Sequence, residues 1–286
     1  MEIQEYYEGI EPKGFIAHMP DHVYHATEGF ISSSGLKLVS RSPAHYFYAP
    51  AKEPSRNMVF GSATHAAILE PEKFKNDYMI VSVNDRRAAA WKQAIANRDE
   101  NFTLTKPEGD HIQAVQQSLV LNSRAKSFID SAIGKELSLF TTDPVTGVKV
   151  RVRFDLLGNG TLGDIKTTKD ARPEKFMWSI SDYMYHQQMA LYMDAYKWET
   201  GEDLDKAVII AIENEAPFTT EFLVMDDIAL AIGRHEYRKN LNKYAECLES
   251  GIWSHYDGMG EERYISLPER DILQYEADTE QDEVIV

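Results

Sequence analysis

The chain has 286 residues, 43% hydrophobic and 27% charged, with a formal net charge of −16, a make-up that fits one large or two small soluble globular domains. A single cysteine, Cys247, excludes an internal disulfide and any four-cysteine zinc or iron–sulfur site. No apolar run approaches the roughly 20 residues that span a bilayer. The acidic start, Met1 to Tyr7, lacks the basic and apolar regions of a signal peptide, so the cytoplasm is the expected compartment.

Residues 1–58 read as irregular, because Pro12, Pro20, Pro43, Pro50 and Pro54 interrupt any long helix. Within them, Ile31-Ser-Ser-Ser-Gly-Leu-Lys-Leu-Val39 predicts a short serine-capped helix that stops before Pro43. Phe60 to Leu69, rich in small residues, predicts a closely packed helix ended by Pro71. Asp85 to Asn97 and Asp110 to Ile129 predict two further helices, joined by a polar linker near Thr105-Lys-Pro-Glu-Gly109.

The period then changes. Glu136–Thr142, Val148–Leu157 and Thr161–Thr167 predict three strands, with turns at Asp143-Pro-Val-Thr-Gly147 and Gly158-Asn-Gly160. Alternation puts Val150, Val152, Phe154 and Leu156 on one face of the middle strand, and Arg151, Arg153 and Asp155 on the other. In the third strand Leu162, Asp164 and Lys166 share a face. A helix over Ser181–Thr200, strands at Lys206–Glu213 and Phe218–Val224, and a helix over Asp226–Glu249 complete the regular part. The order is that of an α/β or α+β domain, a mixed sheet flanked by helices. The expected division is an N-terminal region over 1–58, a main domain over 59–270 and an acidic tail over 271–286. The tail's composition predicts disorder, and Val284-Ile285-Val286 is a candidate for docking in a groove.

Asp155, Asp164 and Lys166 set two carboxylates and a lysine across one hairpin. Paired carboxylates are costly unless a divalent cation neutralises them, and hard oxygen ligands suit Mg²⁺. A metal held in this way assists phosphodiester hydrolysis, so the residues point to a metal-dependent nuclease; solvated surface charge is the alternative. Tyr185, Gln188 and Tyr192 form one stripe of the following helix, with polar tips that suit a phosphate better than a core. His65 alone reads as a satisfied core or boundary residue, with metal ligand or base the alternative. Glu136 reads as a solvated strand end, with a further ligand the alternative. Arg234 and Arg238 read equally as phosphate contacts or as part of a charged face.

The net charge opposes nonspecific attraction to nucleic acid. It is unevenly spread: Glu276, Asp278, Glu280, Asp282 and Glu283 lie in the tail, whereas Arg151, Arg153, Lys166, Lys169, Arg172 and Lys175 surround the two aspartates. A locally basic cleft on an acidic body is therefore compatible with the composition.

Together these motifs resemble the PD-(D/E)XK nuclease superfamily, and within it the RecB-like branch. Asp155, Asp164 and Lys166 match its acid, gap and Asp-x-Lys pattern, and Gly163-Asp-Ile-Lys-Thr-Thr168 is close to the form typical of that branch. Gln188-Met-Ala-Leu-Tyr192 matches its glutamine helix, and Gly61-Ser-Ala-Thr-His65 its histidine helix. The first acid follows phenylalanine where the superfamily pattern has proline. Upstream, Tyr24-His25, the Ile31–Lys37 segment and Ser42-Pro-Ala-His45 resemble RecE-type exonucleases of phages and prophages.

This resemblance implies a restriction-endonuclease-like core with helical N-terminal additions. It implies metal ligands at His65, Asp155, Asp164 and the carbonyl of Ile165, catalytic roles for Asp155, Asp164, Lys166, Gln188 and Tyr192, and Mg²⁺ (or Mn²⁺) as cofactor. Tyr185, Arg151, Arg153, Lys169 and Arg172 are the candidate DNA contacts. The implied activity is degradation of linear duplex DNA from the 5′ end, in a bacterial or phage-infected cell. The exposed 3′ strands would pass to a RecT-type annealing protein, and the enzyme would be a trimeric or tetrameric ring. The rivals are a CRISPR-associated RecB-type nuclease acting on single strands without an iron–sulfur cluster, and a non-catalytic module that binds DNA ends.

Overall fold

The computed structural model describes residues 1–50, 54–256 and 261–283; Val284-Ile285-Val286 lie outside the described residues. The chain begins with β1 (Ile3–Glu5), β2 (Gly14–Ala17), α1 (Asp21–Ala26), α2 (Ser33–Arg41) and α3 (Pro43–Phe47). Helices α4 (Arg56–Leu69) and α5 (Pro71–Asp77) follow, then β3 (Met79–Val81), α6 (Ala89–Ile95) and β4 (Thr103–Thr105). Next come α7 (Lys106–Leu121), α8 (Ser123–Ser131), β5 (Gly134–Thr142), β6 (Lys149–Gly158) and β7 (Thr161–Thr168). Helices α9 (Pro173–Asp182) and α10 (Tyr185–Thr200), strands β8 (Lys206–Glu213) and β9 (Thr220–Val224), and helices α11 (Asp227–Ser250) and α12 (Glu269–Glu283) complete it.

The main sheet has seven strands in the order β1-β2-β5-β6-β7-β8-β9. Its centre is the antiparallel run β2–β5–β6–β7, and β7 pairs parallel to β8 across the helical connection α9–α10. Strand β8 is apolar on both faces, as a strand covered from two sides must be. Ala207, Ile209 and Ala211 pack with α2, α10 and α11. Val208, Ile210 and Ile212 pack with α4, α7 and α8. Among the described residues, no helix is long and apolar enough to cross a membrane.

Several expectations are corrected, each for a local reason. Residues 1–58 are not irregular: Pro20 and Pro43 sit at the starts of α1 and α3, and β2 joins the sheet beside β5. The polar linker at Thr105 is a helix start, where Glu108 accepts the Thr105 N–H at 2.8 Å in a capping box. The helix expected over Asp110–Ile129 is broken at Asn122, which accepts the Ala125 N–H at 3.0 Å and donates to the Thr220 carbonyl at 2.8 Å. Asp85 accepts the Arg87 N–H at 2.8 Å and forms a turn, so the helix expected from there starts only at Ala89. The helix expected over Ser181–Thr200 breaks at Met184, whose φ of 54° ends α9 and starts α10. The acidic segment expected to be disordered is helical over Glu269–Glu283, with Gln274 donating to Asp278 one turn later at 2.8 Å.

Candidate active site

The strands that carry the carboxylates do not run regularly through them. In the β5–β6 ladder, Leu137 pairs with Phe154 and Lys135 with Leu156, which sets Glu136 opposite Asp155. Glu136 has φ of 46°, a left-handed conformation uncommon for any residue but glycine. Phe154 then packs with the α10 side of the core and Leu156 with the α4 side. The expected common face of Val150, Val152, Phe154 and Leu156 therefore breaks at Asp155, because the pleat reverses there. Both carboxylates open into one cleft of about 370 Å³, at the small end of ligand-pocket sizes.

Asp155 also bridges to β7, where its Oδ2 accepts the Ile165 N–H at 2.8 Å. Ile165, whose carbonyl is the expected metal ligand, donates its N–H to this carboxylate and pairs in register with Ile210 across the sheet. Gly163 lets α8 approach at this point, since a Cβ there would lie 2.3 Å from the Phe128 ring. Helix α4 buries Ala63 and Ala67 and turns His65 toward the strands. Its Nδ1 is 3.6 Å from Asp155 Oδ2 and 4.0 Å from Glu136 Oε1. Among the described residues, His65, Glu136 and Asp155 alone bring three ligand atoms of metal-binding type within 4.8 Å of one another.

Asp164 lies beside this trio with both oxygens engaged. Gln188 Nε2 donates to Oδ1 at 2.6 Å, and the Lys166 ammonium pairs with Oδ2. Lys166 Nζ also sits 5.0 Å from the centroid of the Tyr185 ring, and Lys37 Nζ 5.5 Å from it. Tyr192 lines the cleft and meets Phe154 edge-on, with centroids 5.7 Å apart. The stripe of Tyr185, Gln188 and Tyr192 read from the sequence thus faces the hairpin.

Burial and the neighbouring Asp155 push the Glu136 carboxyl well above its ordinary range, against the opposing Arg153. Burial and Asp164 likewise raise Asp155, with His65 and Lys166 opposing. Burial disfavours charge on Lys166, but Asp164 and Asp155 outweigh it and raise its pKa. For Lys37, burial and the charge of Lys166 lower the pKa to about 8. Burial and mutual repulsion thus make full ionisation of these carboxylates costly in the absence of a cation. Two hard oxygen donors with an imidazole are a donor set that suits Mg²⁺ or Mn²⁺.

The arginines expected at DNA all have partners within the chain, and Arg153 also lines the cleft. Arg151 donates to the carbonyls of Tyr24 and Thr27, the former at 2.8 Å. Arg153 donates to Ser138 Oγ at 3.0 Å and the Met19 carbonyl at 2.9 Å, and pairs with Asp21. Both guanidinium groups lie over the Tyr24 ring, so they clamp the N-terminal segment to β6. Arg172 pairs with Asp170 at 2.6 Å, Arg234 with Asp194 at 2.7 Å and Arg238 with Asp143 at 2.7 Å. Lys169 is exposed.

Sequence reasoning set Glu136 aside and missed Lys37. Only the backbone reversal turns Glu136 inward. Lys37 sits in the Ile31–Lys37 motif, which drew notice without assigning the lysine a place in the cleft.

A family model described as a PDDEXK-like domain of unknown function (DUF3799) matches residues 32–265. Among solved structures, the chain is similar to a protein described as a candidate exonuclease from Eubacterium rectale. The TM-score is 0.56 at 14% identity, covering 88% of this chain and 96% of that one. At this identity the likeness concerns the fold alone. A phage-related exonuclease from Haemophilus somnus matches with TM-score 0.32 and 11% identity, over 80% of this chain and 99% of that one. An alkaline exonuclease from Laribacter hongkongensis matches with TM-score 0.25 and 15% identity, over 68% and 97%. No curated protein matches the sequence. Because the family match spans most of the chain, the protein belongs to the PDDEXK-like DUF3799 family.

Proposed function

We propose that this protein is a metal-dependent exonuclease that hydrolyses phosphodiester bonds of linear duplex DNA. The observation that carries the reading is the convergence of His65, Glu136 and Asp155 within 4.8 Å of one another, beside the Asp164–Lys166 pair. A structural role gains nothing from buried like charges, which a cation and a phosphate turn into a binding site. His65, Glu136 and Asp155, with Asp164 adjoining, would hold Mg²⁺ or Mn²⁺. When bound, the ion supplies Lewis-acid polarisation of the phosphate and a more acidic water.

The chain's own groups do the remainder. Asp164 and Asp155 keep Lys166 charged, so it serves as a donor that orients the attacking water and stabilises phosphate charge. Gln188 fixes the carboxylate of Asp164 through the 2.6 Å hydrogen bond, so that Lys166 keeps its aim. Burial raises the pKa of Tyr192 well above its ordinary value, so its phenol stays neutral beside the cleft.

The motif resemblance supports the finer reading: 5′ to 3′ degradation, 3′ single strands handed to a RecT-type annealing protein, and a trimeric or tetrameric ring around DNA. Enclosure by a ring would make a basic exterior unnecessary, which reconciles the reading with the net charge of −16. The test is digestion of linear duplex labelled at the 5′ or the 3′ end, in Mg²⁺ or EDTA, beside Asp164→Ala. Early Mg²⁺-dependent release of the 5′ label, absent in the mutant and on closed circles, is expected. A folded protein that binds DNA ends but releases no label in Mg²⁺ or Mn²⁺ would instead be a binding module.

A further inference from the structure

The α9–α10 junction departs from its sequence pattern in a way that stacks an exposed aromatic ring on Tyr185, the ring that lies beside both cleft lysines. In one continuous helix, Tyr183 and Tyr185 would lie about 200° apart and could not meet. Met184 takes φ of 54° and ψ of 40° instead, a left-handed conformation that residues other than glycine adopt uncommonly. The turn is held by Tyr183 N–H to the Ser179 carbonyl at 3.0 Å and Met184 N–H to the Ser181 carbonyl at 3.1 Å. As a result, Tyr183 stacks on Tyr185 with centroids 5.6 Å apart and planes 25° from parallel. Tyr185 in turn stacks on Phe176 at 6.2 Å and 23°.

Three near-parallel rings thus lead from the core to solvent, from Phe176 at 1% exposure to Tyr183 at 60%. The middle ring carries both cleft lysines, Lys166 and Lys37, at 5.0 and 5.5 Å. A strained backbone that exposes a ring beside a cluster of charge is better explained by a ligand than by packing.

We propose that Tyr183 is a base-stacking platform, on which an unpaired base of the strand being cut continues the stack while its phosphate meets Lys166 and Lys37. This rests on the nuclease reading above and deepens it, because it makes a locally single-stranded end the form of substrate that enters the cleft. Stacking is indifferent to base identity, as an enzyme that digests DNA of any sequence requires.

The test places 2-aminopurine at each position in turn of a short single-stranded DNA, bound in Ca²⁺ at times too short for cleavage. One position should be quenched by the wild type and by Tyr183→Phe, which keeps the ring. Tyr183→Ala and Tyr183→Leu should lose the quench and bind roughly tenfold more weakly, with unfolding temperatures near wild type. An abasic residue at that position should weaken the wild type to the level of the alanine variant and leave that variant unchanged. Persistence of the quench in Tyr183→Ala, or equal weakening by phenylalanine and alanine, overturns the platform. If the wild type still releases the end label from duplex DNA, the nuclease reading stands while the platform falls. If the wild type neither binds nor cuts DNA, both fall together.

Discussion

At the turn joining β5 to β6, Asp143 has no solvent exposure. Its Oδ2 accepts from the Thr146 N–H at 3.0 Å, the Thr146 hydroxyl at 2.5 Å and Arg238 at 2.7 Å. Burial works against its charge, but Arg238 and Thr146 outweigh it and hold the carboxyl below its ordinary range. At the other end of the same strand pair, Glu136 and Asp155 are half-buried, yet their carboxyls are pushed upward. The difference lies in the balance: at one end a guanidinium and a threonine outweigh burial, and at the other burial and a neighbouring carboxylate outweigh Arg153, His65 and Lys166. A protein that pairs a buried acid with a guanidinium at the turn has left the acids of the cleft end less compensated, which marks that end as a place for something the chain itself does not supply.

The comparison can be broken most forcefully at the cleft. Asp155→Asn is expected to lower single-turnover cleavage of labelled duplex by roughly 10²–10³-fold or more while the protein stays folded. Retention of near-wild-type cleavage would remove Asp155 from the site. At the turn, Arg238→Met leaves Asp143 buried without its cation and should cost about 3 kcal/mol, read as a fall in unfolding temperature of roughly 6–12 °C. Asp143 has its pKa lowered by folding, so this loss should be full above the ordinary carboxylate range and shrink as pH falls toward the folded-state value. An unfolding temperature unchanged from wild type at neutral pH would show that Arg238 does not hold Asp143.

Divalent metal should distinguish the two ends directly. Mg²⁺ at a hundredfold excess over its dissociation constant is expected to stabilise the wild type by about 2.7 kcal/mol, and EDTA should reverse this. Arg238→Met should keep the same increment, and His65→Ala should lose most of it. The smallest effect is expected from Glu136→Gln without metal, a gain on the order of 0.5–2 kcal/mol at pH 8. Glu136 has its pKa raised by folding from the ordinary value of 4.5. The wild-type penalty is therefore absent below that value and grows as pH rises toward the folded-state pKa. A glutamine variant less stable than wild type in alkaline EDTA would mean that Glu136 is not repelled in the cleft.

Much of the site is legible in the sequence because it rests on local rules. Asp143 to Gly147 and Gly158 to Gly160 specify turns, and alternation then fixes the strands that bring Asp155, Asp164 and Lys166 together. Helical spacing likewise puts Tyr185, Gln188 and Tyr192 on one stripe facing the hairpin. What escapes is whatever depends on departures from those rules. Glu136 reads as a strand end because nothing in its neighbours announces a φ of 46°. Arg151 and Arg153 read as DNA contacts because alternation names their face without naming the segment at Met19 to Thr27 that occupies it. Lys37 escapes because its place depends on how α2 packs against α10 and α11. The break at Met184 is hidden among residues that are all compatible with helix.

The clamp formed by Arg151 and Arg153 has a consequence for how the molecule is made. Strand β2 pairs Phe15 with Leu139, so an early segment of the polypeptide waits for a partner far along the chain. The cleft is lined by Lys37, His65, Glu136, Asp164 and Gln188, and the last of these lies well past the middle of the sequence. At translation rates of about 5–20 residues per second, the first strand is exposed on the order of ten seconds or more before the final side chain emerges. Until then the carboxylates and Lys166 lack the Gln188 amide that holds Asp164 in place.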